Sequence, residues 1–364
     1  MMAVILTFLG KGGTGRTTMA IATAKGLAAQ GKRVLLATSD SGPGPSLLLG
    51  TPLTTTPTPV ETNLKAVQFQ CAALLESSWE QLKTLEAQYL RTPFFKNVYG
   101  QELGVLPGMD SALALNALRE YDHSGDYDAI VYDGNNSQET LRMLGMPEIL
   151  SWYIRRFRQV FLDSDLGKAL SPFVQPIAST VLSVDISGDT FAGPTKEMSN
   201  VLEQGKSAVS DPNRVSAYLV TTEDEVARAT ASYLWGSAQQ VGLTVGGILL
   251  NQSQQTSYLA DSFAPLTVTA IPEAASNWET LIKALPDFSQ ATSAPRSISI
   301  DVARRHVTLF LPGFDKKQIK LTQYGPELTI EAGDQRRNIL LPPSLTGQPV
   351  TGAKFQNGYL IVSL

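Results

Sequence analysis

Short apolar runs alternate with stretches of helical periodicity over the first 290 residues of the chain. Each run has the length of a single strand, whereas the stretches between the runs place apolar residues on one helix face. Fully apolar strands separated by helices are typical of a doubly wound α/β fold, whose mostly parallel sheet is covered by helices on both faces. The predicted strands lie at residues 3–9, 32–40, 63–70, 127–133, 159–163, 215–222, 245–252 and 266–272, and a linker-like stretch occupies 51–62.

The segment 143–210 has a different character. Apolar and methionine residues follow one another at helical spacing, beginning with Met143, Leu144 and Met146. We therefore predict a helical subdomain in this segment. Two interpretations stay open: such helices usually form core, but methionine-bearing surfaces also adapt to varied partners, so the helices could offer an apolar groove to a client.

The pattern changes at residues 287–297, beyond which apolar and polar residues alternate. Glycines such as Gly313 and Gly333 mark turns, which is typical of a small all-β sandwich. We therefore predict two domains, 1–290 and 296–364. From Arg296 onward 9 basic and 5 acidic residues give a net charge of +4, and the other 20 basic and 28 acidic residues give −8. We expect the second domain to dock on a first domain, through contacts that salt weakens.

The loop between the first predicted strand and the next helix carries the most specific chemical signature. Its residues are Gly10, Lys11, Gly12, Gly13, Thr14, Gly15, Arg16, Thr17 and Thr18. Strand, glycine loop and helix in this order predict a phosphate-binding loop, because glycines let backbone N–H groups turn onto a di- or triphosphate at the positive end of the helix dipole. Thr17 is placed to offer its hydroxyl to Mg²⁺. The alternative is a glycine-rich turn that binds nothing.

Polar side chains follow several of the predicted strands. Asp40, Asp133 and Asn251 each stand at the carboxyl end of an apolar run, as does the glycine loop. In an open parallel sheet the ligand lies outside the carboxyl ends of the strands. We therefore expect these side chains and the glycine loop to share one site.

Composition and charge limit the classes of function. A pI of about 5.4 and a net charge of −4 argue against a surface that binds nucleic acid. Cys71 is the sole cysteine, so no internal disulfide forms, and two histidines without a CxxC pair predict no metal cage. No run of about 18 apolar residues offers an integral membrane segment. We expect a cytoplasmic protein.

A resemblance to a known family rests on these motifs. Lys11 at the second loop position resembles the deviant Walker A loop of the class that includes the ParA/MinD, nitrogenase iron-protein and arsenite-pump (ArsA) ATPases. Residues 38–47 (the switch I segment) and 133–144 (the switch II segment) resemble the ArsA switches. The switch I segment has two inserted residues and lacks the family's histidine, and the switch II segment lacks the A-P-T-G-H core. Residues 1–290 look like the ArsA family, which includes the ATPase of the guided entry of tail-anchored proteins (GET) pathway.

The C-terminal domain resembles a small heat-shock (α-crystallin) domain through residues 311–314, 336–342 and 357–360. Chains that join both parts form a divergent branch of GET-type ATPases. The resemblance therefore implies a P-loop NTPase with a deviant Walker A loop and a helical subdomain, followed by a β sandwich. It implies ATP or ADP and Mg²⁺ as cofactors.

The resemblance also implies a role for each motif residue. The loop amides and Arg16 would hold the phosphates, and Thr17 and Asp133 would hold Mg²⁺ directly or through water. Asp40 matches the acid that positions the attacking water. Lys11 matches the lysine that reaches across a dimer interface to the partner subunit's nucleotide.

The remaining expectations concern adenine, assembly and activity. Asn251 and Pro272 fall where the family contacts adenine. The resemblance implies a homodimeric chaperone or targeting factor that hydrolyses ATP, slowly because its switches are altered, and shields hydrophobic helical or membrane-protein segments. Without a CxxC pair the dimer is expected to need no zinc, and Cys71 alone cannot form an arsenite-binding thiolate cluster. The alternative is a nucleotide-binding regulator or scaffold with little hydrolysis. A ParA-like partner of nucleic acid fits poorly with the charge of −8.

Overall fold

The computed structural model describes residues 2–78, 108–163, 192–256, 259–273 and 277–364. Within these residues the chain forms one eight-stranded sheet and two smaller sheets. The strands of the large sheet are β1 (Val4–Leu9), β2 (Val34–Thr38), β3 (Thr58–Glu61), β4 (Leu64–Gln68), β5 (Ala129–Asp133), β6 (Val215–Thr221), β7 (Thr244–Asn251) and β8 (Val268–Ile271). The helices are α1 (Arg16–Ala29), α2 (Gly44–Leu49), α3 (Met109–Ser124), α4 (Ser137–Asp163), α5 (Ala192–Ser210), α6 (Glu225–Gln240) and α7 (Trp278–Ala284), and residues 71–78 are also helical.

The large sheet has the strand order β3-β4-β2-β5-β1-β6-β7-β8, and every neighbouring pair except β3–β4 is parallel. Strands β2, β5 and β6 are buried along their whole length, as expected for strands that are covered on both faces. β5 and β2 lie on one side of β1, and β6 lies on the other. The loop after β1 therefore opens where the strand order changes direction, which is the usual ligand position of such sheets.

Helices cover both faces of this sheet. Met19 and Ile21 of α1 and Leu281 of α7 share one buried cluster on the first face. Leu118 of α3 and Trp235 of α6 belong to a second buried cluster on the other face. The predicted doubly wound α/β fold with a mostly parallel sheet is therefore confirmed.

The structure differs from the sequence prediction in two places. Residues 159–163 are the end of helix α4 and not a strand. A helix that has already formed gains one hydrogen bond with each added residue. Residues 148–163 contain no glycine or proline, so α4 continues through them. The linker-like stretch 51–62 contains β3, an irregular edge strand paired with β4, where Pro59 is tolerated because it lies at the sheet edge.

The described parts of the segment 143–210 belong to α4 and α5, which pack against each other. Pro147 of α4 lies against Gly205 of α5, so closely that a Cβ added to the glycine would meet the proline ring at 3.1 Å. Leu202 is buried beside Met146 and Leu150. Leu202 is therefore core, whereas Met146 and Leu150 are half-buried, and residues 164–191 lie outside the described part of the chain. None of the helices in the described ranges is long and apolar enough to cross a membrane.

The two smaller sheets form the C-terminal β region, in which all strand pairs are antiparallel. Their strands are β9 (Ile298–Asp301), β10 (His306–Phe310), β11 (Ile319–Tyr324), β12 (Glu327–Ala332), β13 (Gln335–Leu340), β14 (Gly352–Gln356) and β15 (Tyr359–Ser363). One sheet has the order β14-β15-β10-β9 and the other β11-β12-β13. Leu309 and Leu360 of the first sheet share a buried core with Leu328 and Ile330 of the second. The predicted all-β sandwich is confirmed.

The β region packs on α6 through aromatic side chains. Phe310 meets Trp235 edge to face, with ring centroids 5.4 Å apart, and Phe314 meets Tyr233 in the same way at 5.6 Å. Such pairs add about 0.5–1.5 kcal/mol to the burial of their apolar area. The β region is therefore docked, as expected from the sequence.

The expectation of docking rested on a positive β region and a negative α/β region, but the charged groups at this contact have the opposite signs. Two acidic residues of the β region, Glu327 and Asp334, accept hydrogen bonds from Arg155 and Arg142 of α4. The α/β region, with its excess of acids, thus supplies the arginines. Net charge averages over a whole surface, whereas docking depends on the few groups that meet.

Candidate functional site

Three glycines fix the path of the loop between β1 and α1. Gly13 and Gly15 have φ angles of +85° and +95°, in the left-handed region that other residues rarely adopt. A Cβ on Gly15 would lie 2.4 Å from the side-chain amide nitrogen of Asn251, and a Cβ on Gly10 would lie 2.2 Å from the Val220 carbonyl oxygen. The loop conformation therefore depends on glycine at these positions.

The middle of the loop is open to solvent and lies at the start of a helix. The backbone N–H and the hydroxyl of Thr14 both donate to the Lys11 carbonyl, at 3.3 and 2.9 Å, and this closes the turn. Lys11, Gly12 and Gly13 are exposed. Helix α1 begins directly behind them, and its N-cap residue, Gly15, has no side chain to cap the first-turn N–H groups. Free donors and the helix dipole together favour an anion here.

The Arg16 side chain points toward the switch II segment. Its guanidinium donates to the carbonyl oxygens of Gly134 and Asn135 at 3.0 and 2.9 Å. Burial lowers the pKa of Arg16, and the nearby Asp133 carboxylate opposes that effect. A guanidinium carries five N–H donors, so donors remain for another acceptor. The structure therefore links the terminal cation of the loop directly to the segment after β5.

Asp133, Thr17 and Thr38 come together at the carboxyl ends of β5 and β2. Asp133 is 3% exposed, its side chain accepts a hydrogen bond from the Thr38 hydroxyl at 3.3 Å, and the Thr17 hydroxyl lies close enough to affect its pKa. Burial raises the pKa of Asp133, against the opposing effects of Thr17 and Arg16. A bound cation would favour the charged carboxylate.

The oxygen donors of this corner suit Mg²⁺. Mg²⁺ is usually held by one or two protein oxygens together with phosphates and waters. Thr17 lies in the first turn of α1, before Thr18, and supplies a hydroxyl next to the Asp133 carboxylate. No group of three or more His, Cys, Asp or Glu side chains that could hold a metal occurs in the described residues. The donor set therefore fits Mg²⁺ that shares its coordination with a phosphate.

Asp40 lies in the switch I segment, beyond β2. One carboxylate oxygen accepts from the Gly42 N–H at 2.8 Å, and the Asp40 N–H donates to the Thr38 hydroxyl at 3.2 Å. The side-chain amide of Gln68 donates to the carbonyls of Asp40 and Gly42, at 2.8 and 3.0 Å. Sequence reasoning missed Gln68, although a polar residue that ends the buried strand β4 was a usable signal.

The switch II segment is held to the loop by a second residue that the sequence analysis missed. The Ser137 hydroxyl accepts from the Gly10 N–H and donates to the Gly10 carbonyl, both at 2.9 Å. Ser39 of the switch I segment and Tyr132, the residue before the switch II segment, share a hydrogen bond of 2.8 Å between their hydroxyls, and burial raises the pKa of Tyr132 to about 12. A cavity of about 530 Å³ separates the two switch segments there.

Asn251 and Pro272 lie at the ends of neighbouring strands, β7 and β8. The Asn251 side-chain amide donates to the Thr14 carbonyl at 2.9 Å and so supports the glycine loop from the side. The Ser253 N–H donates to the Ile271 carbonyl at 3.0 Å, which joins the segments that follow the two strands. The structure thus brings all the predicted residues to one sheet edge, and it gives Asn251 a contact with the loop that was not predicted.

Comparisons with known proteins cover nearly the whole chain. The family model described as "Anion-transporting ATPase" matches residues 2–261, and the model described as "HSP20-like domain found in ArsA" matches residues 302–364. The first of these spans more than half of the chain, and it includes the glycine loop and both switch segments. The second covers most of the β region.

Individual relatives match at low identity over long stretches. The chain is 24% identical to a protein of Chlorobaculum tepidum named "Putative arsenical pump-driving ATPase", over 98% of this chain and 94% of that protein. It is 20% identical to a protein of Aquifex aeolicus named "Putative arsenical pump-driving ATPase 1", over 98% and 99%. It is 23% identical to a Malassezia globosa protein named "ATPase GET3", over 67% and 70%.

Proposed function

This chain belongs to the anion-transporting ATPase (ArsA) family and carries an HSP20-like domain, and on that premise we propose that it is an ATP-hydrolysing, homodimeric chaperone or targeting factor that shields hydrophobic segments. The observation that carries the proposal is the meeting of the glycine loop and the start of α1 with Thr17, Asp133 and Asp40 at one sheet edge. We propose domain limits of 1–290 and 296–364, a cytoplasmic location and no nucleic-acid partner.

The phosphates are bound by the loop in this proposal. The N–H groups of residues 12–15 and the free donors of Arg16 contact the phosphate oxygens, while Thr17 and Asp133 hold Mg²⁺ directly or through water. When bound, Mg²⁺ neutralises charge on the transferred phosphoryl group. Support comes from the uncapped start of α1 and from the hydroxyl of Thr17 beside the Asp133 carboxylate.

Hydrolysis requires two further groups. Asp40 orients the attacking water, for which it has the carboxylate oxygen that does not accept from the Gly42 N–H. The partner subunit's Lys11 neutralises charge that develops on the phosphate. The exposure of Lys11 in the loop is compatible with a reach across a dimer interface. Asn251 and Pro272 contact adenine beyond the ends of β7 and β8.

The proposed client site is supported by an apolar cavity between α3, α4 and α5. Its volume is about 890 Å³, and Leu144, Met146, Leu150 and Val201 are among its lining residues. Pockets of this size bury ligands of small-molecule size, so the cavity would take a few apolar side chains of a client. Val201→Asp would place a charge in the cavity, and we expect it to weaken binding of a hydrophobic helical peptide while nucleotide affinity stays unchanged.

A second function, a nucleotide-binding regulator or scaffold with little hydrolysis, is favoured by two contacts. The Asp40 carboxylate is bound to its own loop, and Arg16 is bound to switch II carbonyls. These contacts take up part of the hydrogen-bonding capacity that hydrolysis would draw on. The altered switch segments favour slow turnover in either case.

Steady-state ATP turnover with and without a hydrophobic helical peptide separates the two functions. The targeting factor should release phosphate in a Mg²⁺-dependent manner, and the peptide should change that rate. The scaffold should bind MgATP with the same stoichiometry, but phosphate release should not exceed the background of an Asp40→Asn variant. Absence of nucleotide binding to the wild type would refute both.

A further inference from the structure

Helix α4 begins inside the switch II segment, and its first residues are fastened to the glycine loop. Ser137, the first residue of α4, exchanges two hydrogen bonds of 2.9 Å with the backbone of Gly10. Just before it, the carbonyls of Gly134 and Asn135 accept from Arg16. A displacement of the start of α4 therefore disturbs the segment that contains Asp133.

The β region forms hydrogen bonds with the same first turns of α4; we call Asp334 and Gln335, which form them, the gripping residues. The side-chain amide of Gln335 donates to the Gln138 side chain at 3.3 Å, and Arg142, one turn further on, donates to the Asp334 carboxylate at 2.5 Å. Asp334 also donates its backbone N–H to the Tyr233 hydroxyl of α6 at 3.0 Å. The gripping residues thus contact α4 and α6 together.

The gripping residues belong to a tight hairpin turn. Ala332 pairs with Gln335, so the turn between β12 and β13 consists of Gly333 and Asp334. Gly333 has a φ of +59°, and a Cβ there would lie 2.8–2.9 Å from the rings of Phe314 and Tyr233. Glycine at the first central position suits a two-residue hairpin turn. The turn is therefore packed so closely that a shift of the turn would also shift the start of α4.

Further contacts hold the β region along α4. Glu327 is buried and accepts from the Trp152 indole N–H at 3.0 Å and from Arg155 at 3.0 and 3.2 Å. The side chain of Arg337 is also buried, and it donates to the Gln239 carbonyl of α6 at 3.0 Å. The hairpin is therefore anchored at several points outside the switch II segment.

From these contacts we propose that the C-terminal β region regulates the nucleotide site, with Asp334 and Gln335 as positioning residues for the switch II segment. The proposal rests on the proposed function. It assigns the β region a part in turnover: the hairpin holds the first turns of α4, and α4 holds Asp133 and residues 134–136 against the loop. Ser137 and residues 134–135 also contact Gly10 and Arg16 of the loop, so nucleotide affinity is not independent of the hairpin. Because the loop amides themselves make no contact with the hairpin, we expect turnover to change more than affinity.

The test compares four full-length proteins. Asp334→Arg places two arginines against each other, and the swap Arg142→Asp with Asp334→Arg restores an ion pair of reversed order. Asp301→Arg is the matched control, because it makes the same charge change in the β region at a residue that pairs with its neighbour Arg304. The Arg142 and Asp334 side chains are 60% and 56% exposed, so reversal should act without disrupting the core.

Amide hydrogen exchange over residues 134–144 is the first readout, since it needs no nucleotide. Asp334→Arg should speed exchange about two- to fivefold, the size expected for an exposed ion pair. The swap should return exchange to the wild-type rate, and Asp301→Arg should leave it unchanged. Equal exchange rates in all four proteins would overturn the proposal. Exchange in the swap variant as fast as in Asp334→Arg would overturn it as well.

Steady-state kinetics with MgATP is the second readout. Asp334→Arg should lower kcat about two- to fivefold with a smaller change in KM, and the swap should recover kcat. An altered KM with unchanged kcat would contradict positioning of the switch II segment. A wild type without turnover would instead refute the proposed hydrolysis, and the exchange data would still decide whether the hairpin positions the segment.

Discussion

Replacement of Gly15 by valine should abolish nucleotide binding. A non-glycine residue at its φ of +95° carries a cost of about 1–2 kcal/mol. The new Cβ would lie 2.4 Å from the Asn251 amide nitrogen and displace it, and the hydrogen bond from Asn251 to Thr14 is worth about 0.5–1.5 kcal/mol. If the distorted loop must regain its shape to bind nucleotide, the combined cost of about 1.5–3.5 kcal/mol corresponds to roughly 10- to 400-fold in affinity. Because the side chain also stands beside the phosphate position, we expect no detectable binding.

Calorimetric titration with MgADP measures this effect, and the chain offers a matched control. Gly31 has a similar φ of +84°, but an added Cβ there has nothing within 4 Å. Gly31→Val should therefore lose comparable stability while it keeps wild-type affinity. Thermal melting establishes that both variants are folded. A folded Gly15→Val protein with the wild-type Kd would refute the assignment of the loop as the phosphate site.

Three other predictions concern the cation and the dimer. Thr17→Ala should weaken nucleotide binding with Mg²⁺ present and have less effect with a chelator, as titration would show; equal losses in both buffers would contradict a Mg²⁺ role. Because burial raises the pKa of Asp133, its charge costs stability at neutral pH and this cost falls as pH falls through the raised pKa. Asp133→Asn should therefore melt at a higher temperature than wild type in chelator at pH 7, with a difference that vanishes near pH 4, about the ordinary pKa of the carboxyl; a lower melting temperature at pH 7 would contradict this. Sedimentation should show a dimer that survives the chelator, and Lys11→Ala should impair hydrolysis more than binding; a monomer with ATP bound would oppose the dimeric site.

The parts of the fold and site that the sequence predicts are those encoded locally. The glycine loop needs left-handed backbone at Gly13 and Gly15, and glycine at these positions in the sequence already indicates this. Fully buried strands such as β2 and β5 read as continuous apolar runs. Because the carboxyl ends of parallel strands share one edge, the meeting of Asp40 and Asp133 follows from the fold class.

The parts that the sequence does not predict depend on contacts between distant segments. Gln68 reaches the Asp40 carbonyl across 28 positions, and Ser137 reaches Gly10 across 127. The direction of the Arg16 guanidinium is set by carbonyls of the switch II segment, which lie 118 and 119 positions away, so the loop motif alone does not predict it. The docking hairpin could not be foreseen either, because an acid such as Asp334 opposes the net positive charge of its own domain.

Phosphate release from saturating MgATP by wild type and by Asp40→Asn tests the central claim most directly. Positioning and general-base effects commonly contribute about 10²-fold or more, so Asp40→Asn should lower turnover by at least about that factor while MgATP binding stays nearly unchanged. Turnover of the wild type no faster than that of Asp40→Asn, with both proteins binding MgATP, would contradict the assignment of an ATPase site.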